Sequence, residues 1–332
     1  MALLDGLIRR WNRFFYTGFS GESLGALRIA FGAGLLLFHF TQFDHVFRSR
    51  LGGAGYYYLD PMWHFRLLGI DHMVPWLNYA VFGLLLVATL TMTIGLRTRT
   101  SIACVLLCIL YLKGVRDSVA GDVHHRYLMP TWILFFLLLS KSGWVRSLDE
   151  RFRRARGAAA RRVEEWEASW PIKAAQLYVV SFYFWGGLAK MRVSGPDWFI
   201  DGRYLQSILV KRSLIWGADE SGAPLGNTLA WELAQHPKLC MALALTVLGM
   251  EFGFPLLLAV RSALWRALLL LGVTFFHLAN LVLIYVGFAF VPIVFLVFFD
   301  LDDVWKRLQR WWHGAPPGLT TGPASARSAP GP

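Results

Sequence analysis

Charge is scarce in this sequence. Only 16% of its 332 residues are Asp, Glu, Lys or Arg, against 56% that are hydrophobic. Soluble domains carry about a quarter charged residues, so a chain this poor in charge and rich in Trp and Phe suits a solvent that is partly lipid. Cysteine is scarcer still. Cys104, Cys108 and Cys240 are the three present, and the first two fall four apart in an apolar run. Thiols at that spacing share a helix face and pack there, so no disulfide framework or redox pair is expected. The sequence also lacks a Gly-rich phosphate loop, a His-x-x-x-His helix, a Cys-x-x-Cys pair and any repeat of fixed period. It therefore makes no case for a phosphate cradle, a helical zinc site, a dithiol site or a solenoid. No cleavable signal peptide is evident at its start.

What the sequence does have is long apolar runs. A membrane-spanning helix needs roughly 20 mostly apolar residues. Residues 24–43, 74–95, 170–190, 239–260 and 281–299 meet that need, and 100–115, 126–140 and 263–280 meet it less cleanly. The expected fold is all-α, a polytopic integral membrane helical bundle of about eight transmembrane helices, or about six if the weaker pairs are re-entrant. Residues 1–20 read as an amphipathic interfacial helix, with Arg9, Arg10 and Arg13 at the headgroups and Leu, Ile, Trp and Phe inserted. The transmembrane domain is expected over 21–300, with a basic amphipathic helix at about 145–169. Residues 301–332 read as a tail, disordered from about 314, where Pro, Gly, Ser and Ala dominate.

The net charge of +12 is distributed as a membrane protein's would be. With eight spans, the side holding both termini and 141–169 carries nineteen Lys and Arg, against twelve on the other side. The positive-inside rule then predicts cytoplasmic termini. The basic excess reads as topology and lipid contact, with no nucleic-acid partner. A multi-pass protein of a bacterial inner membrane is the expected setting.

Ionisable groups in apolar spans are costly, and each is a functional candidate. Arg28 and His39 in the first span read as structural, the arginine reaching for the interface and the histidine hydrogen-bonded inside. Asp122, His124 and His125 open the span at 126–140. A metal there would need further ligands from elsewhere, so none is expected, and a histidine acting as acid, base or donor at the membrane face is preferred. Lys190 ends a span after Tyr183, Trp185, Gly186 and Gly187. It is either a helix end reaching for water or an amine whose lost hydration favours the free base. The glycines let another helix approach closely. Glu251 lies within a span, and His277 and Asn280 lie three apart on one helix face. These three either tie the bundle together or line a polar cavity.

Several of these segments together resemble a known family. His125-Arg126-Tyr127-Leu128 opens a span and is followed by Ser147-Leu148-Asp149; Trp185 to Lys190 is followed by Asp197-Trp198 and Gly202; His277, Asn280, Leu283 and Gly287 form a third pattern. In order and spacing over about residues 20–300, the chain resembles the HTTM family, which includes the membrane domain of vitamin K-dependent γ-carboxylase. The resemblance implies an active site on the non-cytoplasmic side. It implies that Lys190 is the base that deprotonates a reduced quinone (vitamin K or menaquinol type) and that His125 assists. Oxygen and carbon dioxide are then co-substrates: the oxygenated quinone removes a γ-proton from glutamate, the carbanion takes up carbon dioxide, and an epoxide remains. His124, Tyr127, Trp185, Asp197, Trp198, Glu251, His277 and Asn280 are expected around the quinone or in the polar core.

The pattern has departures. The family's carboxylases carry Trp and Asn before the histidine, where this chain has Asp122, Val123 and His124. They also carry a large extramembrane C-terminal domain. This chain ends about thirty residues after its last expected span, which points to a small substrate, to a peptide or protein substrate supplied by a separate partner, or to no carboxylation. Besides a quinol-dependent enzyme of the carboxylase (lyase) type, two other functions are consistent with the residues. One is a non-catalytic membrane scaffold that matures a peptide or protein partner. The other is a small-solute transporter.

Overall fold

The computed structural model of the chain describes residues 2–41, 60–72, 74–120, 127–198 and 200–312. Helix α1 (Ala2–Tyr16) precedes α2 (Gly21–Thr41), and the short α3 (Trp63–Leu67) precedes α4 (Pro75–Ile94) and α5 (Thr98–Ala120). Helices α6 (Leu128–Leu139), α7 (Leu148–Ala155) and α8 (Glu165–Ser194) follow. After them come α9 (Arg203–Ser213), α10 (Thr228–Ala234), α11 (Pro237–Gly253), α12 (Ala263–Ile284), α13 (Val291–Val294) and α14 (Leu301–Trp312). No strand occurs among the described residues.

The helix ends follow local chemistry. Pro75 and Pro237 stand in the first turn of α4 and α11, where a missing N–H leaves no helical bond unmade. Helix α8 starts on a capping box in which Glu164 and Glu167 cap one another's backbone. Gly95 ends α4 at φ +74°, a left-handed conformation that favours glycine, and a β-carbon there would lie 2.8 Å from Ser147 Cα. The α4–α5 turn can therefore press against the start of α7.

Four helices are long and apolar enough to cross a membrane: α2, α4, α11 with its 3-10 extension through Ala259, and α12. Helices α5 and α8 are at least as long but carry more charge. The expected count of about eight crossings is thus not read directly from helix length. One expected span is corrected outright. Residues 263–284 form a single helix that runs past the boundary expected at 280, and 281–299 holds no continuous helix. Tyr285 takes a left-handed conformation, and Val286 N–H closes the turn onto the Asn280 carbonyl at 3.2 Å. Only α13 and a 3-10 turn (Phe295–Phe298) follow. That stretch is apolar because it is core: Phe290, Val291, Val294 and Phe298 are buried among α2, α6 and α8.

A second correction concerns the basic helix expected at about 145–169. It is broken. Helix α7 stops at Gly157 (φ +80°), non-helical chain follows, and the capping box restarts the backbone as α8. Within 301–332, where disorder was expected only from about 314, Leu301–Trp312 form helix α14, with Trp305, Leu308, Trp311 and Trp312 exposed. Residues from 314 lie outside the described residues. Cys108 and Cys240 are buried and all three cysteines are free thiols.

Arg28 does not reach for the interface. Its side chain is fully buried, and it donates to the carbonyls of Ser142 (2.9 Å) and Arg146 (2.6 Å), between α6 and α7. Arg146 in turn pairs with Glu22 at 2.6 Å and with Asp302 of α14. Ser23 donates to Asp300 at 2.8 Å, and Gly18 N–H donates to Glu165 at 2.8 Å. The starts of α2 and α8, the segment before α7 and α14 therefore meet at one end of the bundle. Arg28→Met should destabilise the protein by at least about 2 kcal/mol, because two buried carbonyls lose their donors. Thermal unfolding in lipid nanodiscs measures this, and an unchanged Tm would mean that other donors reach the loop.

At the same end, Glu150 is buried beneath arginines. It accepts from Arg153 at 2.9 Å, from Arg154 at 3.0 Å and from the Arg161 N–H at 3.0 Å. Its carboxyl is held down to about 2 from the usual 4.5, first by the Arg153 hydrogen bonds. A depressed carboxyl contributes stability that is present above its unfolded value and lost as pH falls through its folded one. Wild-type Tm should therefore drop between about pH 4.5 and pH 2 by more than that of Glu150→Gln. Parallel curves would show that Glu150 adds nothing.

Candidate functional site

The polar residues of three helices converge within the bundle. On α8, Tyr183, Gly187 and Lys190 recur at three to four residues and share one face. Facing them on α11 is Glu251, with Phe254 one turn on. From α12 comes His277.

Lys190 and Glu251 form an ion pair through Nζ and Oε1, the lysine side chain 27% exposed and the glutamate 8%. The ammonium also lies 5.7 Å from the ring centre of buried Trp198, within cation–π range. The expected close approach at the glycines is made by α11. A β-carbon on Gly187 would meet Glu251 Cβ at 3.2 Å and the Phe252 ring at 3.3 Å. Lack of a side chain here is what lets Glu251 stand against α8.

The Tyr183 hydroxyl and His277 Nε2 are 2.7 Å apart, and both residues are buried. With the hydroxyl donating, the imidazole proton is left on Nδ1. Among the described residues, His277 Nδ1 and Glu251 Oε2 are buried without hydrogen-bond partners. A buried polar atom without a partner costs about 1–3 kcal/mol. One orphaned donor thus lies on α12 and one orphaned acceptor on α11.

Aromatic rings extend this cluster in one direction. Tyr183 stacks on Phe254 with centroids 4.1 Å apart. His277 packs on Phe288 at 4.8 Å, Phe288 on Phe290 at 6.2 Å, and Phe290 on Tyr127 at 5.9 Å. Tyr127 immediately precedes α6, and Arg116 lies 5.6 Å over its ring. Two of the sequence patterns, around Lys190 and His277, are therefore joined directly. The third is joined to them through aromatic contacts.

Other expected site residues stand apart. Trp185 is 62% exposed and points away from the cluster, and Asp197 is exposed on the turn after α8. Asn280 is half-buried one turn beyond His277, where its carbonyl closes the end of α12. His124 and His125 lie outside the described residues, as does Asp122. Among the described residues no three His, Cys, Asp or Glu side chains group as metal ligands.

The sequence reading undervalued Tyr183, whose position seven residues before Lys190 places it on the same face of α8. It also passed over a second buried ion pair, Lys113 with Asp117 on α5. Ending that span at 115 cut between Lys113 and Asp117, whereas the helix runs to Ala120. The i,i+4 spacing of opposite charges was the available signal.

Tyr183→Phe leaves both imidazole nitrogens unpartnered and should destabilise the protein by about 1–3 kcal/mol. Thermal unfolding in lipid should show a lower Tm with the helical content unchanged. A Tm equal to wild type would mean that the hydroxyl contributes no net hydrogen bond.

No curated protein and no solved structure matches this chain. A comparison with protein families matches residues 16–305 to the HTTM domain, a membrane-associated family related to the vitamin K-dependent carboxylase. With the match running from the end of α1 into α14, and with apolar helices of membrane-crossing length inside it, the chain belongs to the HTTM domain family of membrane proteins.

Proposed function

We propose that this protein is an integral membrane enzyme that uses a reduced quinone in carboxylase- or epoxidase-type chemistry, with Lys190 as the base and His125 assisting. One observation carries the reading. The single lysine at the end of α8 is drawn into a buried cluster with Glu251, Tyr183 and His277 instead of standing free at the helix end. A snorkelling lysine needs no such partners.

The residues suit the ligand. The orphaned Glu251 Oε2 and His277 Nδ1 are an acceptor and a donor for ring hydroxyls. Phe254, Phe288 and Trp198 offer apolar surface to a ring. A reduced quinone, when bound, supplies with oxygen the strong base needed to remove a carbon-bound proton, and carbon dioxide is the co-substrate if carboxylation follows. The chain's own part is to bind the ring, exclude water and take a hydroxyl proton at Lys190 Nζ.

The shared ionic contacts of Arg146 with Glu22 and Asp302 support both termini on one side. The arginine-rich α7 makes that side cytoplasmic under the positive-inside rule. Lys190 lies about 37 Å along α8 from Glu165, which sets the cluster toward the opposite face. The substrate that gives up its proton would be a small molecule or a peptide reached from there.

The test uses purified protein in lipid, supplied with reduced vitamin K or menaquinol and oxygen, with epoxide read by mass spectrometry. Wild type should form epoxide, and Lys190→Ala should lose at least about a hundredfold, the scale of a general base. No epoxide from folded wild type with several quinones would sink the enzyme reading in favour of a scaffold that serves a peptide partner. Equal epoxide from both proteins would remove Lys190 as the base.

A further inference from the structure

Glu251 is unlike the buried Glu150 and Glu167. Glu150 has donors on both oxygens. Glu167 pairs with Lys141 through one oxygen and accepts the Glu164 N–H at 3.1 Å through the other. Glu251 meets Lys190 through Oε1, while Oε2 is buried with no donor among the described residues. An ionised carboxylate offers about four acceptor sites, and leaving most of them dry penalises the charged form. A neutral acid beside a neutral amine carries no such penalty. The proton between them can move without rearrangement. The Nζ–H bond breaks, the Oε1–H bond forms, and the net charge of the pair is unchanged.

We propose that Lys190 and Glu251 hold one proton in common, so that Glu251, and not bulk solvent, sets how much free amine Lys190 presents. Glu251 is then a positioning residue for the base. It accepts the Nζ proton and leaves the lone pair of Nζ free for a proton from a bound hydroxyl. After that second transfer Lys190 is an ammonium and Glu251 a neutral acid, so no carboxylate repels the oxygen that has lost its proton. Few other charges intrude. Tyr183 and His277 face the pair from α8 and α12 and are bonded to one another at 2.7 Å. Tyr204 of α9 packs against Trp198 with centroids 4.9 Å apart. Arg192 and Asp197 are exposed.

The inference rests on reading Lys190 as the base, yet its test needs no turnover. Purified protein in nanodiscs is treated with an uncharged amine-acylating reagent from about pH 6 to pH 9, and labelling at each lysine is read by peptide mass spectrometry. A lysine that titrates with solvent labels about tenfold faster per pH unit below its midpoint. While a pair holds one shared proton, its amine fraction is constant, so the Lys190 rate should be flat. Exposed Lys211 and Lys238 serve as references in the same sample. Glu251→Asp should keep the flat profile, and Glu251→Gln should depart from it. A tenfold-per-unit slope at wild-type Lys190, or no labelling there at any pH, overturns the proposal without any variant having to fold. So does a flat profile in folded Glu251→Gln. Flat labelling without epoxide would end the quinol reading and leave the shared proton standing, and epoxide with sloped labelling would do the reverse.

Discussion

A charge inside an apolar bundle has to be met by another charge or by backbone carbonyls, and in this protein the meeting group usually belongs to a distant segment. Arg28 of α2 is met by carbonyls between α6 and α7. Arg266 of α12 is met by the carbonyls of Val260 and Phe298. Lys190 of α8 is met by Glu251 of α11. Apolar packing is permissive about which helix sits beside which, since lipid tails are as apolar as leucine. The buried charges are not permissive. They specify which segments must be neighbours, and the apolar surfaces then fill in around them.

The two polar ends of the bundle use this constraint differently. At the end where α1, α7 and α14 gather, the carboxylate of Glu150 has donors on both oxygens, while Arg28 keeps one buried nitrogen, Nε, without a partner among the described residues. Toward the other end the matching is incomplete. Glu251 Oε2, His277 Nδ1 and Asn78 Nδ2 are buried without partners among the described residues. Satisfied networks rigidify, whereas unsatisfied ones are places where a ligand or a proton can gain something.

Much of this was legible in the residues and some was not. The scarcity of charge and the apolar runs pointed to membrane helices, and the family patterns pointed to the neighbourhoods of Lys190 and His277. The pairing of Lys190 with Glu251 was not legible, because nothing in one dimension says that α8 and α11 touch at Gly187. Residues 281–299 misled for a definite reason: a segment buried in protein and a segment facing lipid have the same apolar composition, and only a neighbouring helix distinguishes them. The basic stretch at 145–169 misled through periodicity, since the left-handed turn at Gly157 interrupts a pattern that otherwise continues. The pair at the end of α5 was missed because the apolar run stops at 115, whereas Asp117, one turn beyond Lys113, keeps the helix going as the lysine's partner.

Helix α8 has a mechanical consequence. It runs for 30 residues, about 45 Å, against a hydrocarbon thickness of about 30 Å. Its first turns are gripped at Glu165 and Glu167 by Gly18 and Lys141. Beyond Pro171 no proline interrupts it before Lys190, an arm of about 28 Å. Rotating that arm by about 5° moves its far end by roughly 2.5 Å, close to the length of a hydrogen bond. Helices answer changes of bilayer thickness by tilting. The lever that carries the lysine is thus tied to the membrane itself, and the thickness of the surrounding lipid enters the geometry of a contact buried within the protein.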